Sequence, residues 1–264
     1  MLMRESELLH ALRIAVGDAV RGEHTVAVAY SGGVDSSVIA AIAREQKEVM
    51  CYTCAVGGSF DARNAQRRAD EEGVRLNIVE VGEHGLVGRV ASAASALQSL
   101  DPFPISYTVP LVTVLEEAAE HTVLAGNGAD ELFAGYSKYS SLPNPEGRMS
   151  EDLAKMLDES ARLRTWSAAK GKRLEMPFTE PGVISVSSRM PLVEKISQSG
   201  RKLALREVAR ELGLPSHDRP KKAAQYSSGV LRLMEKVAKK NEESLDEWVR
   251  SVSAGARRSA YESG

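Results

Sequence analysis

The sequence predicts an α/β protein built on a doubly wound parallel sheet. Up to about residue 140, short β-branched runs alternate with stretches of helical spacing. The strand runs are almost continuously apolar, as expected of parallel strands that are covered by helices on both faces. Two of these runs end in glycine-containing loops that lead into a new helix. The alternation and the apolar strands together favour crossover units with a parallel sheet.

The predicted elements follow in order along the chain. An amphipathic helix is predicted within residues 1–20. The strands are TVAVAY, VMCYTCAV, RLNIVEV and TVLAG, and the helices between them include SSVIAAIAREQ, DARNAQRRADEEG and VPLVTVLEEAAEH. Beyond about residue 145 the predicted elements are helices, at EDLAKMLDESARLRTWSAAKGKR, RKLALREVARELG and VLRLMEKVAKK. We therefore predict an α/β domain over residues 1–145 and a mainly helical region over residues 146–264.

Composition and charge exclude several classes of protein. Hydrophobic residues make up 43% of the 264 residues and charged residues 27%, which is typical of a soluble globular chain rather than a disordered one. Thirty-four basic residues face thirty-six acidic ones, so overall charge gives no reason to expect a nucleic acid or a membrane as partner. The N-terminus lacks the uninterrupted apolar core of a signal peptide, and no segment is long enough to span a bilayer. We predict a cytoplasmic protein.

The two cysteines, Cys51 and Cys54, lie in one predicted strand. Residues three apart in a strand point to opposite faces of the sheet, so the pair is poorly placed to chelate one ion. We predict two buried cysteines without a metal or redox role.

The first glycine-containing loop is SGGVDSS, residues 31–37. Glycine lets the backbone approach an anion closely, and the following helix offers free N–H groups at the positive end of its dipole. Ser31, Ser36 and Ser37 add hydroxyl donors, so the loop favours phosphate binding. The spacing matches neither a Walker loop nor the G-x-G-x-x-G fingerprint. The alternative is an ordinary helix start, in which serine and aspartate merely cap N–H groups.

Asp35 needs a separate explanation, because a bare carboxylate would repel phosphate. A magnesium ion between the two would remove the repulsion, with Asp35 bound to it directly or through water.

The second loop lies within VLAGNGADELFAGYSKY, residues 123–139, and has the same arrangement of strand, glycine loop and acidic helix start. Asn127-Gly128 is also an ordinary turn pair, and Asp130 and Glu131 also suit a helix N-terminus. Adjacent strand ends of an open parallel sheet line one crevice, so we expect the two loops to face each other.

Several segments carry a resemblance to a known family. SGGVDSS resembles the SGGxDS loop of the N-type ATP pyrophosphatases, which cleave ATP between the α- and β-phosphates. The second loop resembles an element of the asparagine synthetase domain, shared with β-lactam synthetase. VGGSFDARNA, LEMPF and RKLALREVARELGLPSHDRPKKAAQYSSG resemble further elements of that domain, in the expected order, so the likeness extends from about residue 25 to residue 230. It implies the PP-loop, adenine nucleotide alpha hydrolase-like fold.

The resemblance also implies roles for individual residues, with ATP and Mg²⁺ as cofactors. Ser31, Gly32, Gly33, Asp35 and Ser36 would hold pyrophosphate and magnesium, Val56 and Gly126 would border the adenosine, and Asp130 would help to hold magnesium-pyrophosphate with Glu131 beside it. Lys221 would neutralise the charge that develops at the α-phosphate. The RPKK segment around it is otherwise read as a solvated basic turn.

The function that the resemblance implies is an ATP-dependent ligase. A substrate carboxylate is adenylated, pyrophosphate leaves, and ammonia or an amine displaces AMP to form an amide. Leu2 follows the initiator methionine, so we expect no glutaminase domain; nitrogen would come as free ammonia, from a separate glutaminase subunit, or as an amine of the substrate. Asn127 stands where the family often has a glutamate. An amide cannot act as a carboxylate base, although it can orient a nucleophile or a ribose.

Two other functions remain open on the sequence alone. One is an RNA-modifying enzyme that adenylates a base carbonyl, for which RPKK and KVAKK would supply a modest basic patch. The other is a nucleotide-binding subunit without turnover. The presence of Asp35, Asp130 and Lys221 together weighs against the second alternative, since binding alone does not need all three.

Overall fold

The computed structural model describes residues 6–56, 60–198, 200–218 and 229–262. The strands are β1 Thr25–Ala29, β2 Glu48–Val56, β3 Leu76–Val81, β4 Thr122–Leu124, β5 Arg173–Glu175, β6 Ile196–Ser197 and β7 Gly200–Arg201. The helices are α1 Glu7–Ala19, α2 Val34–Arg44, α3 Phe60–Glu72, α4 Glu83–Leu97, α5 Pro102–Glu117, α6 Ala129–Leu132, α7 Pro145–Ala169, α8 Pro181–Arg189, α9 Leu192–Lys195, α10 Leu203–Glu211, α11 Val230–Lys240 and α12 Leu245–Glu262.

Five parallel strands form the main sheet, in the order β3-β2-β1-β4-β5. The chain moves outward from β1 through β2 to β3, then returns to the centre and continues from β4 to β5 on the other side. The strand order therefore reverses between β1 and β4, and in open α/β sheets ligands bind at such a point, outside the carboxyl ends of the strands. The predicted doubly wound α/β fold is confirmed.

Helices cover both faces of the sheet because side chains alternate along each strand. Val26 and Val28 of β1 pack into a cluster with α1, α2, α8 and α10. Ala27, between them, faces a second cluster that includes side chains of α4, α5, α11 and α12. A sheet buried on both faces explains why the strand sequences are almost continuously apolar.

The two cysteines follow the same alternation along β2. Cys51 packs in the first cluster and Cys54 in the second, and both are free and buried. Burial raises the pKa of the Cys51 thiol to about 12 and that of Cys54 to about 11, so neither is a thiolate near neutral pH. The prediction of two buried cysteines on opposite faces is confirmed.

The fifth strand was not predicted from the sequence. The spacing predicted one helix over residues 151–173, whereas α7 ends at Ala169 and residues Arg173–Glu175 form β5 beside β4. Gly171 adopts φ +70°, which stops the helix. The strand is held by residues that are distant in the sequence, since the backbone N–H of Arg173 donates to the carbonyl of His121. Three residues with one apolar side chain give no alternation that a sequence could reveal.

The remaining described residues of the C-terminal half are mainly helical, with the small hairpin β6–β7 just before α10. The predicted helix at residues 230–240 corresponds to α11, and the one at 201–213 to α10. In the described parts of the chain, no helix combines the length and the apolar character needed to cross a bilayer.

Candidate active site

The two glycine loops leave neighbouring strands at the same edge of the sheet. Val28 of β1 is in register with Leu124 of β4, and both strands run toward this edge. The loops come into close contact: a Cβ atom placed on Gly126 would lie 3.1 Å from the Cβ of Asp35. A side chain at residue 126 would therefore push the second loop away from the first. The expectation that the loops face each other is met.

The first loop is shaped by hydrogen bonds among its own residues. The backbone N–H of Ser31 donates to Oγ of Ser36 at 3.2 Å, and that hydroxyl donates to the carbonyl of Gly33 at 3.1 Å. The N–H of Gly33 donates in turn to Oγ of Ser31 at 3.3 Å. Gly32 adopts φ +66°, a conformation that favours glycine. The turn is thus set by residues only five positions apart.

Arg68 of α3 closes the outer side of this loop. Its guanidinium donates to the carbonyl of Gly32 at 2.6 Å, and its Cδ lies 2.5 Å from the position a Cβ on Gly32 would take. Gly32 is therefore needed for close approach as well as for its φ angle. The contact also places a cation beside the loop that is predicted to hold phosphate. Sequence reasoning missed Arg68 because α3 showed only a surface-like charge pattern.

One predicted hydroxyl donor of the loop is engaged elsewhere. Ser37 is buried and donates to the Glu72 carboxylate at 3.1 Å, and the Tyr30 hydroxyl donates to the same carboxylate at 2.9 Å. Ser37 faces the interior because it lies within the first turn of α2. The expectation that Ser37 offers its hydroxyl to phosphate was wrong; together with Tyr30 and Glu72, it supports the loop from behind.

The carboxylates of the two loops converge on one ammonium group. Nζ of Lys202 lies 2.6 and 2.5 Å from the two carboxylate oxygens of Asp35, and 2.8 Å from Oδ1 of Asp130. The Lys202 side chain is only 3% exposed, whereas the two aspartates are about one-fifth exposed. Two carboxylates within bonding distance of the same nitrogen are close enough to share one cation.

Backbone geometry brings Lys202 to this position. The residue precedes α10 with φ +57° and ψ +38°, a left-handed conformation that is uncommon for lysine. Its aliphatic chain passes over Gly135, where a Cβ would lie 2.3 Å from Cε of Lys202 and 1.8 Å from Oδ1 of Asp130. The sequence resemblance included the segment around Lys202 but assigned the charge-neutralising role to Lys221. Nothing local marks Lys202 as buried, since its partners lie far away in the chain.

The charges of Asp35, Asp130 and Lys202 do not cancel. Burial alone would lower the pKa of Lys202, but the carboxylates of Asp130 and Asp35 outweigh it and raise the pKa above its usual value. One ammonium between two carboxylates leaves one negative charge in excess. Among the described residues, no group of three or more His, Cys, Asp or Glu side chains could hold a metal. A magnesium ion that binds phosphate oxygens and water needs only one or two carboxylates, which fits Asp35 and Asp130.

Glu131, next to Asp130, contacts Tyr136. Its carboxylate is buried and accepts a hydrogen bond of 2.6 Å from the Tyr136 hydroxyl. Burial raises the pKa of Glu131 above its ordinary value, while the bond from Tyr136 acts in the opposite direction. The pair joins α6 to the chain just beyond it and fixes the orientation of the loop that carries Asp130.

A small, partly open cavity of about 60 Å³ lies beside the second loop, between α5 and α7. Its lining residues are Tyr107, Thr108, Leu111, Asn127, Met156, Glu159, Ser160 and Leu163. Glu159 is the only carboxylate among them. The Tyr107 hydroxyl lies 3.5 Å from Oε2 of Glu159, and burial raises the pKa of that carboxyl above its ordinary value. Sequence reasoning missed Glu159, which is one of many acidic residues of an amphipathic helix.

The other predicted residues lie at the same edge or outside the described residues. Val56 ends β2, which pairs with β1, so it reaches the edge from which the loops emerge. Asn127 borders the small cavity. Lys221 and the rest of the RPKK segment lie outside the described residues, as does part of the segment after β2.

Comparison with known proteins identifies the family. Residues 7–174 match the family model described as asparagine synthase. The chain belongs to the asparagine synthase family. It is 31% identical over 276 residues to a protein assigned as glutamine-hydrolysing asparagine synthetase 1 in Methanocaldococcus jannaschii, with 87% of this chain and 50% of that one covered.

Two further relatives differ in the product that their names give. Asparagine synthetase B of Escherichia coli is 26% identical over 250 residues, covering 86% of this chain and 45% of its own length. Carboxyethyl-arginine beta-lactam-synthase of Streptomyces clavuligerus is also 26% identical, over 237 residues, covering 87% and 46%. The chain therefore spans about half the length of the curated relatives that it matches. Family membership supports an ATP-utilising ligase in general terms.

Proposed function

We propose that this protein is an ATP-dependent, AMP-forming ligase that adenylates a substrate carboxylate and transfers it to ammonia or an amine. The observation that carries the proposal is the convergence of Asp35 and Asp130, from two loops at the switch point of the sheet, on one cation within 2.8 Å. A phosphate-binding turn directly precedes Asp35. Nucleotide phosphate and a shared cation are the requirements of adenylation.

The nucleotide half of the reaction rests on the first loop. Ser31, Gly32, Gly33 and Ser36 bind the pyrophosphate portion of ATP, with the guanidinium of Arg68 beside them. Val56 and Gly126 border the adenosine. Asp35 and Asp130 hold Mg²⁺, which when bound neutralises charge on the phosphates. Lys221, outside the described residues, neutralises charge at the α-phosphate in this proposal. The protein thus positions the substrate carboxylate for in-line attack, and pyrophosphate leaves.

The acceptor half rests on the cavity beside the second loop. Once the acyl-adenylate has formed, an amine or ammonia attacks its carbonyl carbon, AMP leaves with the bonding electrons, and the nitrogen loses a proton. Glu159 accepts that proton, because it is the carboxylate of the cavity and burial raises its pKa toward the working range of a general base. Asn127 orients the nucleophile, and the Tyr107 hydroxyl orients Glu159. Glu131 and Tyr136 hold the loop that carries Asp130.

The substrates are proposed by chemistry rather than by name. Relatives named for asparagine and for a β-lactam both fit carboxylate activation followed by attack of nitrogen. We propose a small-molecule amino-acid carboxylate as acceptor, with aspartate as the first one to test, and a biosynthetic role in the cytoplasm. Nitrogen comes from ammonia, from an amine of the substrate, or through a separate glutaminase subunit.

Phosphorus NMR of the purified protein tests the proposal. The protein is incubated with Mg-ATP, ammonium and a panel of amino-acid carboxylates, beginning with aspartate. We expect AMP and pyrophosphate in equal amounts, dependent on one carboxylate. ADP and phosphate, or AMP formation that requires added tRNA instead of a carboxylate, would contradict it.

A further inference from the structure

The Lys202 ammonium occupies the point at which the two proposed metal-binding carboxylates converge. It contacts both oxygens of Asp35 and one oxygen of Asp130 within 2.8 Å. The side chain is 3% exposed, and it reaches this point from a position 167 residues beyond Asp35. The protein thus supplies its own cation at a place where nucleotide chemistry calls for a divalent ion.

Three independent features show that this arrangement is built into the fold. Lys202 adopts the left-handed backbone conformation, which is sterically costly for a residue with a Cβ. Gly135 provides the space for its aliphatic chain and for the Asp130 carboxylate, since a Cβ there would clash with both. The adjacent Arg201 guanidinium donates to the carbonyl of Gly135 at 2.9 Å, which ties the start of α10 to the second loop.

The charge of the group determines what can join it. Asp35, Asp130 and Lys202 together carry one negative charge, so a divalent ion bound alone would leave one positive charge and would lie next to an ammonium group. Like charges at such short range repel strongly in a partly buried site. The phosphates of a nucleotide bring enough negative charge to offset both cations.

We propose that Lys202 neutralises Asp35 and Asp130 in the nucleotide-free protein, so that the divalent ion binds with the nucleotide and not before it. This inference rests on the proposed role of Asp35 and Asp130 in metal binding. It makes Lys202 a positioning residue that keeps the two loops together between turnovers. It also keeps the free enzyme from binding a metal ion without its nucleotide.

Binding of Mn²⁺ to the nucleotide-free protein, followed by electron paramagnetic resonance, tests the inference. In Lys202→Gln the amide still donates hydrogen bonds but carries no charge, so Mn²⁺ should bind at least about tenfold more tightly than to the wild type. A second substitution, Asp35→Asn, should abolish that gain. Lys195→Gln is the matched control, because Lys195 is also a buried lysine but has no ion pair with Asp35 or Asp130. It should bind Mn²⁺ as weakly as the wild type.

Equal Mn²⁺ affinity of the wild type and Lys202→Gln would overturn the inference. If the variant does not fold, as judged by circular dichroism, the Mn²⁺ affinity of the wild type is compared with and without a nucleotide analogue. Nucleotide-free wild type should bind Mn²⁺ far more weakly than protein saturated with α,β-methylene-ATP, after correction for Mn²⁺ bound by the nucleotide itself. Equal affinity in the two states would overturn the inference as well.

The same experiment separates this inference from the proposed function, because metal binding needs neither an acceptor nor turnover. If no carboxylate supports AMP formation but Lys202→Gln gains Mn²⁺ affinity, the ligase proposal fails and the role of Lys202 stands. If AMP forms but the gain is absent, only the role of Lys202 fails.

Discussion

The two loops at the switch point of the sheet share an arrangement but are held in place differently. The loop after β1 is shaped by bonds among Ser31, Gly33 and Ser36, which lie within six residues of one another. The loop after β4 depends on distant residues: Lys202 contacts Asp130, and Glu159 of α7 lines the cavity next to Asn127. The turn of the first loop is therefore formed locally, although Arg68 and Lys202 also reach it from elsewhere in the fold. The surroundings of Asp130 and Asn127 in the second loop are assembled by the tertiary fold.

The two loops also provide different chemical groups, which suit different steps of the proposed reaction. The first loop provides glycine, hydroxyl groups and one carboxylate, which suit phosphate and its metal ion. The second loop contributes Asp130 to the same cation and borders a cavity with its own carboxylate. In the proposed reaction, the first loop serves adenylation and the far side of the second loop serves the transfer to nitrogen.

Asp35→Asn should have the largest effect, because Asp35 serves the step on which both halves of the reaction depend. We expect pyrophosphate release to fall by about 10³-fold, since the variant loses a preorganised charge at the site of phosphoryl chemistry. Release is measured with a coupled pyrophosphate assay. Asp18→Asn is the control, because Asp18 lies on α1 and forms an exposed ion pair with Arg21, just beyond that helix, so the change should leave the rate unchanged. A rate within tenfold of the wild type would refute the role of Asp35.

Glu159→Gln should separate the two steps. We expect a normal single-turnover burst of pyrophosphate, but amide formation slowed by about 10²-fold, because the cavity loses its base. Burial raises the Glu159 pKa, and the base acts only when deprotonated. Amide formation in the wild type should therefore decline as pH falls through this raised pKa, and the variant should lose that decline.

Rapid quench at several pH values on the acid side of neutrality measures both products. Glu151→Gln is a matched control, since Glu151 is an exposed glutamate of the same helix and pairs with Arg148. If Glu159→Gln slowed the pyrophosphate burst as much as amide formation, the assignment of adenylation and nitrogen transfer to separate loops would be wrong.

Gly135→Ala tests how strongly the second loop depends on tertiary contacts. The added Cβ would lie 1.8 Å from Oδ1 of Asp130 and 2.3 Å from Cε of Lys202, so one of them must move. We expect a loss of about 1–3 kcal/mol in the free energy of unfolding, as for other overpacked sites. Urea denaturation measures it.

Gly147→Ala is the matched control for this change. Gly147 lies in the first turn of α7, and a Cβ there would meet nothing within 4 Å. It should be neutral or slightly stabilising, because alanine favours helix. Equal stability of the two variants would mean that the packing around Lys202 and Asp130 contributes little.

Ser31→Ala should have the smallest effect of the set. The variant loses one hydroxyl donor to phosphate and one acceptor for the N–H of Gly33, and the rest of the turn remains. We expect the KM for ATP to rise by about tenfold with kcat nearly unchanged, which is the scale of one hydrogen bond to a charged group. Ser188→Ala, at an exposed serine of α8, is the control. A large fall in kcat instead would place Ser31 in the chemical step.

The contrast between the loops also explains what could be predicted from the sequence. The sheet and the first loop follow from residues that are close in the chain, so apolar runs and the SGGVDSS motif were sufficient. Lys202 and Glu159 acquire their surroundings from contacts across the fold. β5 was hidden for the same reason, since its three residues are held by β4. Ser37 was misassigned because its partner, Glu72, lies on another helix.

Oxygen transfer from the acceptor to AMP distinguishes adenylation of the carboxylate from other uses of ATP. With the carboxylate that supports turnover labelled with ¹⁸O, adenylation requires one labelled oxygen to remain on AMP when nitrogen attacks the carbonyl. We expect the isotope-shifted phosphorus resonance of AMP in an amount equal to the amide formed. AMP without label, or label found only in inorganic phosphate, would contradict it.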